Sequence, residues 1–324
     1  MSTPSPAPLR DAELALAAAE AAYARGDVAS ARRALLKLTR EIADPRLAAR
    51  AHTDLAVVAV AAGDHEAARD RAMQALRADG GYGPAMEALG RLAQAYGDLA
   101  EAGEWFAKAL SLEPGDESLA QAVAGVKDAQ YERMVEQLQL LNDVLAGSPL
   151  AGRYWMFSGM LLGWAREGDL LRHDVVDVDF AYLADDERRL LDTIPLLRAA
   201  GFEPLYRFPG GDAPATEYSL LRGGAKFEFF RHEVVGDRFR YYSYGQTAHG
   251  PTANELLLPA QPREPVEFLG RTWLKVRDHE AELEALYGDW RTPDPDYDYM
   301  DSPAIVRRFP WDCSSFDWKS GAEE

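Results

Sequence analysis

The chain has 324 residues, with 53 acidic and 35 basic side chains, a formal net charge of −18, and 47% hydrophobic residues. This length fits two domains, and the apolar content supports packed cores in place of extended disorder. The charge excludes a protein held to nucleic acid or to an anionic membrane by a general basic field, but not one that takes an anionic small molecule with the help of a metal or a local Arg/Lys cluster.

Residues 1–127 hold 14 basic and 18 acidic side chains; residues 128–324 hold the other 21 and 35. The first part is Ala-rich and reads as helix. It also repeats: Gly26-Asp27, Gly63-Asp64 and Gly97-Asp98 each follow one apolar helical pattern and precede another. Five residues past each glycine stand Ala31, Ala68 and Ala102. Nine past stand Leu35, Ala72 and Phe106, and twelve past stand Leu38, Ala75 and Ala109. Small residues at these positions let paired helices approach closely, the glycine ends the first helix of each pair, and Pro114 closes the third copy. The pattern resembles the tetratricopeptide repeat (TPR) over about residues 10–117. A longer spacer around Asp44-Pro45 sets the first copy apart. The resemblance implies an α-solenoid that docks a protein partner.

Residues 118–147 continue as helix, with Met134, Leu138, Leu141 and Val144 on one face, until Gly147-Ser148-Pro149 breaks it. The domain boundary is expected within this helix, giving a repeat domain over 10–127 and a mixed helix-and-strand domain over 128–324. In the second domain, Tyr154–Phe157 reads as a short strand, Ser158-Gly159 as a small-residue turn, and 160–166 as a helix. A helix opening beside such a turn can take a phosphate, although ordinary capping uses the same residues.

Asp177-Val178-Asp179 reads as strand, so both carboxylates share one face while Val178 and Phe180 point into the core. Two carboxylates at that spacing repel unless a cation joins them, and Mg²⁺ or Mn²⁺ is the natural choice beside phosphate. A solvated surface pair is the competing reading. A second strand, Lys226-Phe-Glu-Phe-Phe, places Lys226, Glu228 and Phe230 on one face. A lone Glu228 there would be costly to bury, and either a metal or a pair with Lys226 resolves the cost. Asp174 could add a further ligand or a contact behind the metal ligands. His173 is read as a loop residue with an option to assist, and His232 as surface or as a layer behind the ligands. Trp290 and Tyr297-Asp298-Tyr299 are read as core or rim, with stacking on a base or sugar as the alternative. Asp294, Asp296, Asp298 and Asp301 read as solvated, and Gly210-Gly211 lacks any phosphate-loop context.

These segments together resemble the LicD/fukutin family of nucleotidyltransferase-fold proteins. The likeness lies in Phe-Ser-Gly-Met-Leu-Leu-Gly-Trp-Ala-Arg at 157–166, Leu-Leu-Arg-His-Asp at 170–174, Asp177-x-Asp179 and Lys226-x-Glu228-Phe-Phe. It continues in Phe268-Leu269-Gly270, Val276, Tyr287-Gly288-Asp289-Trp290-x-x-Pro293, Asp298-Tyr299 and Ser302-Pro303. It spans about 130–308. Two departures stand out: the spacer after Asp174 is one residue longer than the family's, and Glu228 replaces an acid that is often Asp.

The resemblance implies a nucleotidyltransferase-like mixed-sheet α/β domain behind the helical repeats. It also implies metal-dependent transfer of a phosphocholine- or polyol-phosphate-like group from a nucleotide-activated, CDP-linked donor to a glycan or polyol hydroxyl, a cell-surface glycan modification. By the same resemblance Asp177, Asp179 and Glu228 would hold Mg²⁺ or Mn²⁺, Glu228 being also a candidate base. Ser158 and Gly159 would contact phosphate, as could Arg166 and Lys226. Asp174 and His173 would stand behind the ligands. The same acids would serve transfer of a nucleoside monophosphate to a small molecule or protein. A non-catalytic TPR adaptor is the reading of a different class.

The only cysteine, Cys313, excludes an intrachain disulfide. Residues 1–10 hold no apolar run of signal-peptide type, and Leu55 to Ala62 is too short to span a bilayer. A cytoplasmic protein without an integral membrane segment is therefore expected.

Overall fold

A computed structural model describes residues 9–172, 176–208, 216–248 and 250–310. The chain divides into two compact units between Gln130 and Tyr131, three residues beyond the boundary expected from sequence.

In the first unit, helices α1 (Leu9–Ala24), α2 (Val28–Glu41), α3 (Pro45–Ala61), α4 (His65–Ala78), α5 (Gly83–Ala95) and α6 (Leu99–Leu112) pack in successive pairs. The glycine of each Gly-Asp step adopts positive φ, +83° at Gly26, +74° at Gly63 and +78° at Gly97, which stops the first helix of the pair. The aspartate then caps the second: Asp27, Asp64 and Asp98 accept the backbone N–H of Ser30, Ala67 and Glu101. Ala31, Ala68, Ala102, Ala72, Ala75, Ala109 and Phe106 are fully buried, and Leu35 and Leu38 nearly so. The repeat spacing therefore marks the helix–helix seams. The long spacer has its own start signal, Asp44 capping α3 at Leu47 with Pro45 in the first turn. This N-terminal part is a TPR-like stack of helix pairs.

Helix α7 (Glu117–Ala146) contains the division between the units. Leu119 and Val126 pack with Phe106 in the first unit. Met134, Leu138, Leu141 and Leu145 belong to the core of the second.

The second unit continues with β1 (Tyr154–Met156), α8 (Ser158–Glu167), β2 (Asp177–Leu183), α9 (Glu187–Ala199), β3 (Glu203–Phe208), β4 (Glu217–Arg222) and β5 (Ala225–Val235). β6 (Arg238–Thr247), β7 (Gly250–Pro259), β8 (Arg263–Phe268), β9 (Arg271–Val276), α10 (His279–Tyr287) and β10 (Ile305–Pro310) follow. Eight strands form one mixed sheet in the order β1-β2-β5-β6-β7-β10, with β4 also pairing β5 and β3 pairing β4; β8 and β9 form a separate hairpin. The first half of β5 lies between β2, to which it is parallel, and β4, to which it is antiparallel. Its second half pairs with β6. One face of this sheet is sealed by aromatic packing, with Phe180 stacked on Phe229 at 5.3 Å and on Trp273 at 5.6 Å. With alternate residues locked into that core, the intervening ones must point to the opposite face. No helix of the described residues is long and apolar enough to cross a membrane.

Candidate functional site

Strand register builds the site. Asp177 stands opposite Lys226, and Asp179 opposite Glu228, across the parallel β2–β5 pair. Across β5–β4, Glu228 faces Ser219 and Phe230 faces Glu217, and Tyr206 on β3 faces Ser219. Partners across a ladder share a face, so Asp177, Asp179, Glu228, Lys226, Glu217 and Tyr206 all lie on the side away from the aromatic core. One carboxylate oxygen from each of Asp177, Asp179 and Glu228 comes within 4.8 Å of the others, and among the described residues this is the group of three or more acid, His or Cys side chains able to hold an ion. Three hard oxygen donors on rigid strands suit Mg²⁺ or Mn²⁺.

Lys226 is built into this cluster. Its Nζ lies 2.9 Å from Asp177 Oδ2 and 3.1 Å from Glu228 Oε2. Burial works against its charge, but Glu228 and Asp177 outweigh burial, and its pKa stands above the ordinary lysine value. The metal and ion-pair readings of Glu228 thus meet in one place. The other oxygen of Glu228, Oε1, accepts from the Tyr206 hydroxyl. That hydroxyl's pKa is raised, first by burial and then by Glu217 and Glu228.

Glu217 carries no motif and was absent from the expected site. It is 5% exposed on β4 and lines the same cavity. Burial first, and Glu228 second through charge and a hydrogen bond, push its carboxyl well above the usual range, favouring the protonated form. The available signal was alternation: Glu217 and Ser219 share a face of an apolar strand.

The cavity has a volume of about 1260 Å³ and lies wholly within the second unit. The acids form one wall. Ser158, Gly159 and Arg166 of α8 form another, and Tyr287, Asp289, Trp290, Asp294, Asp298 and Tyr299 reach it from the C-terminal segment. Ser158 and Gly159 are the first residues of α8, where the sequence had suggested a turn ahead of the helix. Ser158 holds φ at +46°, a strained value for a residue with a Cβ, and its Oγ lies 3.0 Å from the Tyr287 hydroxyl. Behind them, a Cβ at Gly163 would sit 2.6 Å from the Asp169 carbonyl oxygen, so the Leu-Leu-Gly step admits the returning chain only with glycine. Arg166 pairs with Glu167 at 3.1 Å and lines the cavity.

Other expectations divide. His232 is neither at the surface nor behind the acids in a polar layer. It is 1% exposed and packs against Phe157, Trp155 and Tyr241, where burial lowers its pKa to about 4. β5 continues to Val235, so alternation keeps His232 on the face of Glu228 and Phe230, where the rings of Trp155, Phe157 and Tyr241 enclose it. Trp290 is buried at the cavity wall, and Tyr299 is half exposed with its hydroxyl donating to the Tyr244 carbonyl. Asp294, Asp296, Asp298 and Asp301 are exposed, and Asp294 and Asp298 border the cavity. His173, Asp174, Gly210, Gly211 and Cys313 lie outside the described residues.

No protein-family model matches the chain, and no curated protein sequence matches it. Solved structures with TPR folds match the N-terminal helical part. The MamA protein is similar at 22% identity over 36% of this chain and 62% of its own length, with a TM-score of 0.32. The chain thus spans less than two thirds of MamA. The first TPR of Spaghetti (RPAP3), solved with an HSP90 peptide, is similar at 18% identity over 37% of this chain and 93% of that one, TM-score 0.34. The Sgt2 TPR domain from Aspergillus fumigatus is similar at 20% over 39% and 81%, TM-score 0.34.

Proposed function

We propose that the second unit is an enzyme that moves a phosphocholine- or polyol-phosphate-like group from a nucleotide-activated donor, CDP-linked by family resemblance, to a glycan or polyol hydroxyl. The observation that carries this reading is the convergence of Asp177, Asp179 and Glu228 on one wall of a large cavity, their carboxylate oxygens within 4.8 Å of each other. Mg²⁺ or Mn²⁺ held by these acids would supply charge neutralisation to the donor phosphates in an otherwise acidic site. Ser158 and Gly159 open α8 and line the cavity, and a helix start with its unpaired backbone N–H groups suits phosphate. Arg166 adds a positive charge to the same wall. Burial and the neighbouring Glu228 push the Glu217 carboxyl up, which favours a neutral group beside the acids. The repeat unit would bring a protein partner or the acceptor-bearing assembly to the enzyme.

A non-catalytic TPR adaptor is the second reading, and Lys226 favours it: an ammonium already bridging Asp177 and Glu228 lets these acids stay buried without a metal. A thermal-shift panel of CDP-, UDP- and ADP-linked donors, each with Mg²⁺ or Mn²⁺, separates the two. Selective stabilisation by one donor in the presence of metal supports transfer. No shift with any donor, with or without an acceptor glycan, supports the adaptor.

A further inference from the structure

We infer that Lys226 is an exchangeable counter-ion: its ammonium holds the acid cluster together in the metal-free chain, yields to the divalent ion, and then turns to the anionic group that enters with the ion. This rests on the metal reading of the site and goes beyond it. Both oxygens of Glu228 are engaged, Oε1 by the Tyr206 hydroxyl and Oε2 by Lys226 at 3.1 Å, while Lys226 also holds Asp177 Oδ2 at 2.9 Å. An ion held by Asp177 and Glu228 would lie close to the ammonium that Asp177 Oδ2 and Glu228 Oε2 now hold, and two cations so near one another repel strongly in a half-buried site.

The balance of charge points the same way. Three carboxylates against one ammonium leave the cluster anionic, so it gains from a divalent ion more than it loses by releasing a monovalent one. Lys226 has somewhere to go. Its side chain is one-third exposed, its Nζ lies 6.0 Å from the centre of the Tyr206 ring, and it borders the open cavity. A flexible four-carbon stem lets the ammonium swing while β5 stays fixed.

Mn²⁺ titration of the full chain by calorimetry at pH 7, with Lys226→Met and Lys226→Arg beside the wild type, tests the exchange. Lys226→Met should bind Mn²⁺ at least about tenfold more tightly than wild type, because the competing charge is gone, whereas Lys226→Arg should stay near wild type. Should Lys226→Met be unfolded without metal, the same linkage appears as a larger Mn²⁺-induced rise in melting temperature than wild type shows. Inorganic pyrophosphate should tighten Mn²⁺ binding to wild type more than to Lys226→Met. Measurable Mn²⁺ binding by wild type with equal or weaker binding by Lys226→Met overturns the exchange and leaves the metal site standing. Equal tightening by pyrophosphate in both proteins overturns the turn toward the anion. No Mn²⁺ binding by any of the three overturns the exchange together with the metal site.

Discussion

The two units solve the burial problem in opposite ways. Within the first, Thr53 is the buried polar side chain among the described residues, and the seams are mostly alanine and leucine, with Val58, Val126 and one large ring, Phe106. The second buries Asp186, Glu217, Glu228, His232, Lys275 and Glu282. Stacked helix pairs need mainly shape at their seams, since backbone groups are satisfied within each helix apart from its ends, which the aspartates cap. Charges buried on a sheet beside a cavity cost folding energy and need partners, which is where perturbed ionisation and function gather. The net charge divides the same way, −5 in the first unit against −13 in the second from the residue counts.

Substitutions can break or sharpen this contrast. The largest expected effect is on packing. Phe106→Ala should cost about 3–5 kcal/mol of stability in urea unfolding, because the ring closes onto Gly90, where even a Cβ would approach it to 2.7 Å. The acids should still bind Mn²⁺ as before; loss of that binding would show that the packed seam and the polar site are not separable.

Next in size is a pH effect confined to the second unit. Glu282 is 1% exposed, and burial raises its pKa to about 8 from an ordinary 4.5. Its folded form holds the proton more tightly than the unfolded chain, so its stabilising share is full below pH 4.5 and is lost as pH rises toward 8. Glu282→Gln takes no proton and should flatten that slope, gaining several kcal/mol over wild type above pH 8. An unchanged slope between pH 5 and 9 would remove Glu282 as its source. The smallest effect belongs to the repeat: Asp64→Ala, which deletes the cap on Ala67, should cost about 1 kcal/mol with no dependence on Mn²⁺.

Local rules made the first unit readable. Gly26, Gly63 and Gly97 need positive φ, the following aspartates cap, and the residues five, nine and twelve positions on face the seam, all within one repeat length. Asp177 and Asp179 were readable for a similar reason, since a strand's alternation is local. Glu217 and Tyr206 were not. Their place beside Glu228 depends on antiparallel pairing of β3, β4 and β5, and no spacing within either strand announces that register. Lys226 could be read as a partner of Glu228 or as a phosphate ligand. What the sequence left out is that it also reaches Asp177 across the parallel strand pair. His232 was misplaced because β5 extends well beyond its aromatic segment.

The most direct measurement is Mn²⁺ binding, by titration calorimetry, to the full chain and to the Asp177→Asn/Asp179→Asn double variant. The geometry predicts one ion bound by the wild type, binding reduced by roughly a hundredfold or more in the double variant as two charged ligands are lost, and a melting temperature without metal that does not collapse. Equal Mn²⁺ affinity in the two proteins would contradict the assignment of Asp177, Asp179 and Glu228 as a metal site.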